Sequence, residues 1–202
     1  MQKHIKSAAL FVAASLASGM AMAHTGVEPH QHVGFVSGFL HPFTGMDHMA
    51  VMLAVGLWSA LVARQLGAAM LCGPLGFANL LLAGAALGLQ GFDIPAVEPM
   101  IAASLVVTGL LVVSRLKLQG VWAAALVGAF ALFHGLAHGY ELANNTNAFQ
   151  TLAGMVTATL LLHTMGLALG WSLRGANVWV TRALGAAVAV FGGALMVLQL
   201  AN

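Results

Sequence analysis

Six long apolar runs follow one another along most of the chain, at about residues 45–63, 66–90, 97–114, 121–141, 148–172 and 178–200. Each is close to the roughly 20 residues that a helix needs to cross the hydrocarbon core of a bilayer. Short breaks with turn chemistry separate them, among them Gly91-Phe92-Asp93-Ile94-Pro95 and Asn144-Asn145-Thr146-Asn147. Ahead of the first run, Val33 to Leu40 is apolar but too short to cross, and His41-Pro42 interrupts it. Proline disfavours helix at the residue before it, so 33–40 is predicted to be a re-entrant or interfacial segment. Thr44-x-x-Asp47 has the spacing of a capping box that opens the first span.

Residues 1–23 read as a secretory signal peptide: Lys3 and Lys6 form a basic start, Ala8 to Gly19 an apolar middle, and Ala21-Met22-Ala23 a cleavage site. The alternative is an uncleaved first helix, although the apolar stretch is shorter than a span. Cleavage leaves His24 at the mature N-terminus, and the domain then covers 24–202. The lead-in from His24 to His32 carries three histidines, His24, His30 and His32. A free terminal amine with the His24 imidazole can chelate a metal; a solvated tail is the plainer alternative.

Composition agrees with the pattern. The chain is 60% hydrophobic and 6% charged, with a mean hydropathy of +0.94. A soluble domain carries about a quarter charged residues, so this polar surface is too small to cover a water-soluble globule. Seven basic residues, scattered, make no nucleic-acid footprint despite a pI near 9.1. The lone Cys72 allows no intramolecular disulfide.

The placement of charge says more than its sum. With the mature N-terminus outside, the loops after spans one, three and five are cytoplasmic. They hold Arg64, Arg115, Lys117, Arg174 and Arg182, every basic residue after the signal peptide. The loops after spans two and four carry Asp93, Glu98 and Glu141 instead. This is the positive-inside pattern. The expected fold is an all-α membrane protein: a compact bundle of six transmembrane helices with a short re-entrant segment before the first, both mature termini periplasmic. The setting is a bacterial-type inner membrane. Small residues at Gly84-x-x-x-Gly88, Gly135-x-x-x-Gly139, Gly185 and Gly192-Gly193 predict close helix–helix approach in lipid.

Ionisable groups inside spans are expensive and mark function by default. They fall here in two clusters, His41-Pro42-Phe43-Thr44-Gly45-Met46-Asp47-His48 and His134-Gly135-Leu136-Ala137-His138-Gly139-Tyr140-Glu141. At 100° per residue, His134, His138 and Glu141 share one helix face. Alternate crossing puts both clusters at the outer ends of spans one and four. Imidazole suits nickel, cobalt, zinc and copper, and a carboxylate adds a harder charged ligand. His41, Asp47, His48, His134, His138 and Glu141 are therefore the candidate metal ligands. Asp47 is compatible with a helix cap as well. His163 lies roughly 20 Å below the outer end of span five, either as a second station on an inward path or as a hydrogen-bonding link between helices. Met46, Met49 and Met52 suggest packing before a soft copper(I) site. No G-x-x-x-x-G-K-[ST] loop, G-x-S-x-G elbow or cysteine pair is present.

His-Pro-x-x-Gly-x-Asp-His at 41–48, followed by Met52-Leu53-Ala54-Val55-Gly56-Leu57-Trp58, resembles the first signature of the HupE/UreJ family, and His-Gly-x-Ala-His-Gly-x-Glu at 134–141 resembles its second. These membrane proteins are tied to hydrogenase and urease maturation and are regarded as nickel or cobalt permeases. The resemblance implies nickel uptake through the six motif residues, with transported Ni2+ (or Co2+, Zn2+ or Cu) as cargo and no prosthetic group. It implies as partners the metal ion, the bilayer and cytoplasmic nickel chaperones of hydrogenase or urease maturation, and no nucleic acid. The expected mechanism is a secondary permease or facilitator, not an enzyme. Two other classes fit the same residues: an intramembrane zinc hydrolase with Glu141 as base, and a metal sensor or chaperone that moves no metal. Ligating imidazoles must be neutral, so capture is expected to weaken as pH falls through about 6.5. Nickel uptake by cells that stays constant from about pH 7.5 to 5.5 rules this capture step out.

Overall fold

The computed structural model describes residues 34–92, 94–118 and 120–201, so the signal peptide and His24, His30 and His32 lie outside the described residues. Among these residues the chain is helical throughout, without a strand. The elements are α1 (Gly34–Thr44), α2 (Met46–Val62), α3 (Ala68–Gly88), α4 (Val97–Ser114), α5 (Val121–Glu141), α6 (Ala148–Ser172) and α7 (Val178–Ala201), with a 3-10 turn at Leu173–Gly175. Their bounds follow the predicted runs closely. Five helices, α3 to α7, are long and apolar enough to cross a membrane, and α1 with α2 forms a further pair bent by 80°.

The start of α2 departs from the reading of the sequence. His41-Pro42 does not interrupt the preceding helix: α1 runs through both residues to Thr44 and carries Pro42 inside it. Packing supplies the reason, because α1 lies along α6 so closely that a Cβ at Gly38 or Gly154 would meet the other helix's backbone. Tertiary contact outweighs the local preference of a residue before proline. The break falls instead at Gly45, which is extended (φ −87°, ψ 107°) and makes no side-chain cap. The capping box is likewise not formed. Thr44 Oγ1–H donates to the His41 carbonyl (2.8 Å), and Asp47 Oδ1 accepts the backbone N–H of its neighbour His48 (2.9 Å). With its hydroxyl turned back onto α1, Thr44 is not free to cap α2.

Packing is pairwise: α3 on α5, α4 on α7, and α2 and α1 on α6, with α4 joining α2 and α5. Between α3 and α5 the chains touch backbone to backbone. A Cβ at Gly84 would meet the Leu132 carbonyl, one at Gly135 the Leu81 carbonyl, and one at Gly139 the Ala85 carbonyl. Only glycine permits this distance. Lipid tails give helices no hydrophobic reason to associate, so such contact supplies the cohesion. Gly192 is used in the same way against α4, whereas Gly193 faces open space.

The contacts also give direction. Gly76 meets Ala124 and Gly88 meets Leu136 and Tyr140, so α3 and α5 are parallel. Gly56 meets His163 and Gly166, and Gly170 meets Leu57 and Ala60, so α2 and α6 are parallel. Gly109 meets Gly185 while Gly192 meets Ala102, so α4 and α7 are antiparallel. Helices that repeatedly reverse across a layer acquire these relative directions.

One end of the bundle collects the cations. Arg174 donates to the Ala63 carbonyl, Arg115 Nη2 to Thr181 Oγ1 (2.9 Å), and Trp58 Nε1–H to the Leu116 carbonyl (2.9 Å). Arg64, Lys117 and Arg182 adjoin these contacts in the chain. The described carboxylates, Asp47, Glu98 and Glu141, belong to helix ends at the opposite pole.

Gly135→Ala forces the α3–α5 backbones apart and is expected to lower stability by about 1–3 kcal/mol, the usual cost of overpacking. Gly193→Ala, in open space, should leave it unchanged or slightly raised. Thermal unfolding of the two variants in one detergent compares them directly.

Candidate metal centre

His41 comes from the last turn of α1, His48 from the first turn of α2, and His138 from the last turn of α5. The bend of 80° at Gly45 turns α1 away from the axis of α2, and the glycine seam holds α5 in place. Their rings converge: His41 and His138 have centroids 4.7 Å apart, His48 and His138 4.8 Å, and His41 and His48 5.6 Å. One nitrogen from each lies within 4.8 Å of the others. An ion about 2.1 Å from each nitrogen sets ligand pairs at most about 4.2 Å apart. Small side-chain rotations close this cluster around one ion.

The partners of each ring decide which nitrogen is available. Asp47 Oδ1 lies 2.9 Å from His48 Nδ1. A carboxylate accepts, so Nδ1–H donates and Nε2 carries the lone pair. That Nε2 is buried and has no hydrogen-bond partner among the described residues. Asp47 is thus placed behind His48 rather than beside it. A carboxylate on the far nitrogen of an imidazole is the arrangement that fixes tautomer and ring direction in metal sites. Glu141 stands in a looser relation to His138: its Oε2 is 3.6 Å from Nδ1, and its side chain is half exposed (52%).

His134 is fully buried one turn below His138, its ring 5.0 Å from His48. Its Nε2 is 3.0 Å from Ser104 Oγ, while the Ser104 hydroxyl donates to the Ile101 carbonyl at 2.6 Å. The serine oxygen therefore accepts Nε2–H, and His134 Nδ1 is left unprotonated and without a partner among the described residues. His134 does not join the three-nitrogen cluster; it stands beneath it. His163 is farther down, on α6, and hydrogen-bonds across to α2 through the Met52 carbonyl (2.8 Å). Of the methionines, Met52 is buried in the core and Met46 and Met49 are half-buried. Cys72 turns its Sγ to the Ala68 carbonyl of its own helix (3.6 Å).

Comparison with known proteins gives the family. The family model described as HupE / UreJ protein matches residues 12–195. The chain belongs to the HupE/UreJ family. It is 39% identical over 197 residues to the protein HupE of Rhizobium leguminosarum bv. viciae, an alignment covering 96% of this chain and 99% of that one. No solved structure matches.

Within this HupE/UreJ chain the residues of the two motifs take different places. His41, His48 and His138 form the cluster, Asp47 orients, His134 lies one layer deeper, and Glu141 stands at the exposed rim. Reading the sequence missed Ser104 and Phe77, whose ring packs on His134 (5.7 Å) and on His163 (5.1 Å). A single serine or phenylalanine in an apolar span carries no signal of such a role.

Ser104→Ala leaves His134 Nε2–H without its acceptor in a fully buried position and should cost about 1–3 kcal/mol. Ser114→Ala, an exposed serine on the same helix, should stay within about 0.5 kcal/mol of the parent. Thermal unfolding in detergent measures both.

Proposed function

We propose that this chain carries a divalent transition metal, nickel first, inward across the bacterial inner membrane to supply hydrogenase or urease maturation. The observation behind this reading is the set of imidazole nitrogens, from α1, α2 and α5, brought within 4.8 Å of one another, with no hydrogen-bond partner for His48 Nε2 among the described residues. A buried polar atom without a partner costs free energy, and a passing ion supplies the partner. The family resemblance points to nickel or cobalt as that ion.

In this mechanism Asp47 and Glu141 attract the hydrated dication at the outer end. His41, His48 and His138 replace part of its water shell, and His134 receives it next. Nickel is the cargo; no prosthetic group takes part. Nitrogen and oxygen sites favour copper over nickel, so geometry and metal supply set the selectivity. The separation of charge between the two poles supports an orientation with the basic end in the cytoplasm. Six crossings, counting the bent α1–α2 pair as one, and periplasmic mature termini complete the proposed topology. The signal peptide at 1–23 and delivery to cytoplasmic nickel chaperones belong to the same proposal.

Cells expressing the wild type at matched membrane levels should accumulate radioactive nickel, and the His48→Ala/His138→Ala double variant should fall to background. Wild-type cells that accumulate none, while the purified protein binds nickel, would favour the hydrolase or the sensor; chelator-sensitive hydrolysis of lipid or peptide separates those two. Asp47→Asn keeps the shape but weakens the acceptor behind His48. It should reduce nickel affinity by about 10–100-fold, read by equilibrium binding to purified protein.

A further inference from the structure

Below the outer cluster, the bundle carries polar atoms that the capture step does not use. His163 is the first. It is 1% exposed, and its Nδ1 lies 2.8 Å from the Met52 carbonyl. A carbonyl only accepts, so Nδ1–H donates and Nε2 is unprotonated in the neutral ring. That Nε2 is buried with no partner among the described residues. A histidine whose task is to tie α6 to α2 needs the first nitrogen alone. The second, fixed in tautomer and aimed into the bundle, has the arrangement of a metal-ligating imidazole.

His163 is also in line with the outer site. The ring sequence runs from His48 to His134 (5.0 Å), from His134 to Phe77 (5.7 Å), and from Phe77 to His163 (5.1 Å). Phe77 is fully buried and separates the two deeper imidazoles. Along α2 the same line continues. His48, Met52, Val55 and Ser59 stand at i, i+4, i+7 and i+11, one stripe of the helix. Ser59 Oγ is buried and unpartnered among the described residues, and Gly73, one turn before Phe77 on α3, abuts it. Ser59 and Gly73 both line a cavity of about 430 Å³ at the basic end, which Trp58, Arg64 and Gln65 help to enclose. Its lining carries the Arg64 guanidinium and no carboxylate, so it is no store for a dication.

We infer that His163 is a second, inner metal station, reached from the outer histidines past Phe77 and leading along Ser59 to the cavity at the opposite end. The inference rests on the transport reading and adds the route and the residue that receives the ion midway. Divalent transition metals are the ligand class, held by one imidazole and retained water.

His163→Asn separates the two tasks of this side chain. Asparagine keeps an N–H for the Met52 carbonyl and removes the atom at the Nε2 position. Nickel uptake into cells should fall at least about tenfold, while nickel binding to the purified protein stays within about threefold of wild type, because the outer cluster is intact. Uptake within about twofold of wild type would overturn the inner station and leave the transport reading standing. A wild type that takes up no nickel would overturn both. Should the asparagine variant fail to reach the membrane, His163→Cys in a Cys72→Ser background provides the second test. Nickel should slow, at least about tenfold, the reaction of that thiol with a small thiosulfonate, which forms a mixed disulfide and releases a sulfinate, and an unprotected thiol would overturn the proposal.

Discussion

Unpartnered imidazole nitrogens held inside an apolar helix bundle are the constraint on which the rest of this structure depends. A polar atom removed from water without a replacement partner costs free energy, and three histidines, His48, His134 and His163, each keep one such nitrogen among the described residues. Each keeps it because the other nitrogen is tied: to Asp47, to Ser104 and to the Met52 carbonyl. Tying one nitrogen determines the tautomer and so the direction of the free lone pair. The hydrogen bonds that stabilise these side chains thus also direct the lone pair that is left free.

Holding the nitrogens apart from their own helices requires a stiff frame. The α3–α5 seam provides it, with backbones too close for any side chain between them, and the α2–α6 contact at Gly56 and Gly166 repeats the device. The parallel course of α2 and α6 brings His163 against Met52, four residues beyond His48. The parallel course of α3 and α5 sets Phe77 beside His134. The helix pairing thereby aligns side chains from α2, α3, α5 and α6 into one file from the outer cluster to the inner cavity.

Much of the architecture was legible in the chain. The lengths of the apolar runs marked the bounds of α4, α5 and α6 to the residue, because a bilayer imposes a minimum length and turns need polar or glycine residues. The motif residues were legible too, since ionisable groups stand out against apolar spans. The start of α2 was misread. Proline and a Thr-x-x-Asp spacing are local signals, and the packing of α1 on α6 overrode both. Asp47, one residue before His48, gave no sign in the sequence that it would stand behind that imidazole.

Length, hydropathy and the distribution of charge therefore determined the class of fold, the segments and the identity of the reactive side chains, for these follow from the chain's interaction with its solvent. The tertiary structure decided which of those side chains meet. His41, His48 and His138 converge, while His134 and His163 stand beneath them in depth. Such choices depend on the direction and spacing of helices far apart in sequence, where glycine contacts and single hydrogen bonds to Ser104 or Met52 act, and no local pattern encodes them.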